Sequence, residues 1–84
     1  KNKLFDPNVS STQAIEIVVN RFEIVSQQMG YTVLPSEEYV MNIIGILLNK
    51  GQKEKAIAFA ELNINNYPKS ELAIYYLSEI EKQE

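Results

Sequence analysis

The residues in this sequence that could do chemistry are few: the glutamates Glu37, Glu38, Glu54, Glu61 and Glu71, the serines Ser10, Ser36 and Ser70, and the run Asp6-x-Asn8-x-Ser10. A carboxylate works as an acid or base only where its surroundings detune it, and a serine attacks only when a neighbouring base takes its proton. The chain has no His and no Cys, so it offers no imidazole base, no thiolate, no disulfide and no zinc site of the usual nitrogen and sulfur ligands. Glu37, Glu38 and Glu71 fall in expected first helical turns, where the helix dipole accounts for them. Ser10, Ser36 and Ser70 each stand immediately before a helical run and read as N-caps. Asp6-x-Asn8-x-Ser10 hints at a calcium loop. However, the turn glycine of such a loop is replaced by Ser11, and its twelfth position, where a bidentate Glu belongs, is Ile17. The sequence therefore assigns no catalytic, cofactor-binding or metal-binding residue. Asn8-Val9-Ser10 fits a glycosylation sequon, a pattern short enough to arise by chance.

Charge narrows the partners. With 8 Lys+Arg, 11 Asp+Glu and a formal net charge of −3, the chain lacks the clustered bases that grip nucleic acid or anionic lipid. Lys50, Lys53 and Lys55, interrupted by Glu54, read as solvated surface. The longest apolar stretch, Ile43 to Leu48, is far below the roughly 20 residues of a membrane span. No secretory leader opens the chain, and a start at Lys-Asn-Lys reads as the remnant of a longer protein. At 84 residues the chain is one small domain with 45% hydrophobic content.

The elements that must carry these residues are helices. Residues 1–10 hold Asp6-Pro7-Asn8 without a period and read as a linker or docking arm; the helical domain is 11–84. Ser10 with Gln13 forms a capping box, followed by Ala14, Val18, Phe22, Val25 and Met29 on one face, with Ile15 and Val19 widening it. Gly30 stops this first helix, expected over 11–29. Ser36 caps a second helix, which carries Val40, Met41, Ile43, Ile44, Leu47 and Leu48 and ends near Gly51. A third runs from about Lys53 to Tyr67-Pro68, and a fourth, capped by Ser70, carries Leu72, Ile74, Tyr75, Leu77 and Ile80. Its polar tail, Glu81 to Glu84, is expected to fray. The apolar face of the second helix spans half the circumference or more, which demands contact on two sides. The class is all-α.

Ser36-Glu37 and Ser70-Glu71 lie 34 residues apart, as do Val40 and Ile74, and Ile43 and Leu77. A 34-residue period of two antiparallel helices resembles the tetratricopeptide repeat. Gly51 sits at its inter-helix turn, Ala56 at its small packing position, Pro68 at its closing proline, and Leu77-Ser78 where it prefers Leu followed by a small residue. Departures exist: Ile44 occupies the small position one place before Gly45, Lys53 replaces an aromatic and Asn63 an alanine. The chain is thus expected to hold about one and a half repeats behind one long helix.

A closer likeness covers residues 11–80. The series Gln27-Gln28-Met29-Gly30-Tyr31, Leu34-Pro35-Ser36-Glu37-Glu38, Asn42 to Gly45, Lys50-Gly51-Gln52, Glu54 to Phe59 and Leu62 to Ser70 resembles the C-terminal helical extension of Bacteroidetes-type bacterial esterases of the α/β-hydrolase superfamily. The resemblance implies a catalytic domain upstream of Lys1 that would hold the nucleophile and base, and export to the periplasm or beyond.

Three functions follow as expectations. The first is a non-catalytic accessory domain that packs against that upstream hydrolase domain or against a second copy, since repeats normally need about three units to bury a continuous core. The second is a free-standing adaptor for a partner peptide. The third lends Tyr75 or Tyr76 to the active site of the parent enzyme. The five tyrosines, Tyr31, Tyr39, Tyr67, Tyr75 and Tyr76, are expected to fill gaps between helices with their hydroxyls in water.

Overall fold

Local signals set the helix ends. In the computed structural model, which describes residues 3–82, α1 runs Ser11–Met29, α2 Glu37–Asn49, α3 Lys53–Asn66 and α4 Glu71–Lys82. Ser10 Oγ accepts the Gln13 N–H at 3.1 Å while Gln13 Oε1 accepts the Ser10 N–H at 3.1 Å, closing the capping box. Ser36 Oγ accepts the Tyr39 N–H and Ser70 Oγ the Ala73 N–H, so all three serines expected as caps act as caps. Gly30 takes φ +82° and donates to the Ser26 carbonyl, ending α1. Gly51 takes φ +76°. Around it the Gln52 N–H reaches the Leu47 carbonyl and the Gly51 N–H reaches that of Leu48. This pair of bonds is a Schellman closure, and it folds α3 back against α2.

The fold is all-α, with four α-helices and no strand among the described residues; Thr32 to Leu34 form an irregular connector. α3 is the hub and meets α1, α2 and α4. Its Ala56 and Ala60 are fully covered, and such small side chains let neighbouring backbones come close. Phe59 fills the centre, surrounded by a core of Ala14, Val18, Val40, Ile43, Ile44, Leu47 and Ile80.

Residues 3–9 lie on this globule. A 3-10 turn at Lys3–Phe5 puts Leu4 into the core, 1% exposed. Gln52 Nε2 donates to the Phe5 carbonyl (2.9 Å) and Lys55 Nζ to the Asp6 carbonyl (2.7 Å), tying the segment to the start of α3. The segment is a strap across one end of the helices.

One expectation about burial needs correction, and another is met from within the chain. Only the first half of the α1 stripe is enclosed: Ala14 and Val18 are buried, Phe22 and Val25 half-buried, and Met29 and Val19 exposed. At 1.5 Å per residue the 19-residue α1 is longer than the 14-residue α3 it packs on, so its far end overhangs. The broad face of α2 is mostly satisfied within the chain, with Val40, Ile43, Ile44 and Leu47 buried and only Ile46 left exposed among its large apolar residues. The surplus apolar surface lies elsewhere. Residues 83 and 84 of the expected fraying tail lie outside the described residues.

Candidate interaction surface

The chemistry-bearing residues are occupied with structure. Asp6 Oδ1 accepts the Asn8 N–H and its carbonyl the Val9 N–H, a local turn that leads into the Ser10 cap. Glu37 accepts the Ser70 hydroxyl at 2.7 Å, and Tyr67 donates its hydroxyl to the Pro35 carbonyl at 3.0 Å. These two bonds join the α1–α2 connector and the first residue of α2 to the α3–α4 connector, so equivalent parts of the chain stand side by side. Glu54, Glu61 and Glu71 are exposed. No described group of three acidic side chains lies within reach of a common metal ion, and no described helix is long and apolar enough to cross a membrane.

Lys55 departs from the solvated surface expected of its cluster. It is buried, and its ammonium donates to the Asp6 carbonyl and to Gln52 Oε1 (2.8 Å). Burial lowers its pKa from the ordinary 10.5, and the Asp6 charge opposes that by less. Asn63, also buried, leaves its Oδ1 without a hydrogen-bond partner. Nothing in the sequence pattern signals the burial of Lys55, whereas Asn63 stands where the tetratricopeptide-like spacing has an alanine.

The tyrosines divide. Tyr39 is half-buried, meets Phe22 edge-on at 5.3 Å and accepts the Arg21 guanidinium at its hydroxyl; Tyr67 is held at Pro35. Those two do fill a gap between elements. Tyr31, Tyr75 and Tyr76 do not, and stand exposed.

Two surfaces could receive a partner. The first is an open groove of about 300 Å³ between α1, the connector and α3, lined by Val19, Phe22, Val33, Leu34 and Leu62. Its rim is fixed by Ser26, whose hydroxyl donates to the Phe22 carbonyl and accepts the Val33 N–H at 2.7 Å. The second is α4. In twelve residues it leaves Leu72 (50%), Ile74 (52%), Tyr75 (58%) and Tyr76 (38%) exposed, and buries only Ala73 and Ile80. At 100° per residue Leu72, Tyr75 and Tyr76 share one face with half-buried Glu79, while Ile74 lies on the far flank. The rings of Tyr75 and Tyr76 meet edge-on at 6.0 Å, which forms a stiff aromatic ridge. Val40, the position in α2 equivalent to Ile74, is fully enclosed by the chain. Comparison with models of known protein families, with curated proteins and with solved structures finds no match to this chain.

Proposed function

We propose that this chain is a non-catalytic helical interaction domain whose work is done by the outer face of α4. The observation that carries the reading is the exposure of Leu72, Tyr75 and Tyr76 on one face of a short helix. Solitary exposed apolar residues are ordinary, whereas a contiguous cluster rich in tyrosine is the composition of a binding interface. The tetratricopeptide-like spacing supports the same reading, since α4 stands where a first repeat helix would be covered by its second.

In this proposal the domain is the C-terminal accessory part of a serine esterase of the α/β-hydrolase type, and α4 docks on that enzyme or on a second subunit. The coding sequence upstream of Lys1 tests the parentage: a Gly-x-Ser-x-Gly elbow followed by a His is expected, and a reading frame that starts at this chain would favour the free-standing adaptor instead. The docking role is tested in solution. The isolated chain should enhance the fluorescence of an apolar dye such as ANS, and Tyr75→Glu should abolish most of that signal with the helical circular dichroism intact. A folded chain that binds no dye would reject the reading. The adaptor reading rests on the groove beside Ser26, which suits an extended apolar segment.

A further inference from the structure

The two ends of the helical stack are treated differently. At the α1 end the strap brings Leu4 into the core, and the bonds from Gln52 and Lys55 hold it there. Apolar residues left exposed on α1, such as Val19 and Ile24, stand on different sides of that helix and form no stripe. At the α4 end Leu72, Tyr75, Tyr76 and Glu79 follow the i, i+3, i+4, i+7 spacing of a helix–helix seam, the first three exposed and Glu79 half-buried. Contact of this face with the same face of a second copy closes as a two-fold dimer.

The charges on α4 favour that closure. Glu71 is in its first turn and Lys82 in its last. When two α4 helices lie antiparallel about an axis near Tyr76, Glu71 of each copy falls opposite Lys82 of the other, and the helix dipoles run in opposition. The Lys82 side chain is 71% exposed and among the described residues pairs with Glu79 at 3.6 Å, so it can reach across. The same arrangement stacks the tyrosine ridge of one copy beside that of the other. The seam offers roughly 300 Å² of side chain per copy, against about 800 Å² per partner in a standard interface, so the dimer is a weak one.

We infer that the Leu72–Tyr75–Tyr76 face of α4 pairs antiparallel with the same face of a second copy. This rests on α4 being the interaction surface and names its partner. Sedimentation equilibrium of the whole chain from about 10 µM to about 1 mM, a range that reads weak affinities, should give a monomer–dimer equilibrium with no larger species. Tyr75→Glu should weaken the dimer about tenfold or more, and Ile74→Glu, on the far flank, should change it less than about threefold. Glu71→Lys alone and Lys82→Glu alone should each weaken self-association, because like charges then face across the seam. Mixed in equal amounts they should restore a dimer, because the mixed pair is complementary at both ends. A monomer at 1 mM, species beyond the dimer, or a mixture that fails to recover would each overturn the pairing. A monomer that still binds apolar dye in a Tyr75-dependent way overturns only the pairing; a monomer that binds none overturns the interaction reading too.

Discussion

At the residue scale the polar interior decides the most. Lys55 ties the start of its own helix, where Gln52 stands three residues before it, to Asp6 in the strap, 49 residues away in sequence. Lys55→Met would keep most of the buried stem but remove the charged donor from two oxygens. A hydrogen bond from a charged group is worth about 1.5–3 kcal/mol, and a loss of that size is expected in urea unfolding. The pH dependence has a definite sign. The folded pKa lies below 10.5, so between the two values the unfolded chain holds more protons. Lys55 therefore adds stability as pH rises through that interval and adds no further change above 10.5. The gap between wild type and Lys55→Met should widen accordingly. Asn63 works in the opposite direction. Its buried Oδ1 has no partner, and Asn63→Leu, with the same branched outline but bulkier methyls in place of the polar atoms, should raise stability by about 1 kcal/mol.

Glycine shows at the scale of the element how one substitution can carry two signs. Gly45 lies inside α2, exposed, with nothing within 4 Å of where a Cβ would be. Gly45→Ala removes a helix-interior glycine without a clash and should stabilise by about 0.5–1 kcal/mol. Gly51, at φ +76°, closes the Schellman turn, and Gly51→Ala should destabilise by about 1 kcal/mol. Thermal unfolding of the two variants separates them. The same contrast explains what was legible in the sequence. Helix ends depend on residues three or four apart, so Ser10 with Gln13, Gly30, Ser36, Gly51 and Ser70 could be read directly. Ile44 was read at the packing position ahead of Gly45, and it is the residue that is buried. What could not be read depends on distant neighbours: the overhang of α1, set by the length of α3, and the burial of Lys55, set by a carbonyl 49 residues away. The α4 surface lies between these cases. A surplus of apolar surface is legible in the pattern, but the pattern points to α2, and that α4 is the helix left uncovered is not legible there.

At the scale of the whole molecule the shape accounts for the surface. The chain measures 42 × 32 × 17 Å, and its thin dimension is less than twice the roughly 10–12 Å diameter of a helix with its side chains. A slab this thin gives each helix few neighbours, so apolar residues remain on α4 even though α2 has found cover. The strap gives the slab one well-finished edge, and this has a chemical consequence. An unprotonated, accessible amine is what an acylating reagent attacks, and Lys55, despite its lowered pKa, is shielded behind residues 3–6. In a timed labelling experiment read by mass spectrometry, Lys50 and Lys53 should modify early and Lys55 late. Leu4→Ser should convert Lys55 into one of the fastest-labelled lysines while the other rates hold steady. A single amine thus reports when the first residues lift away, and labelling at Lys55 becomes a clock for the opening of that edge.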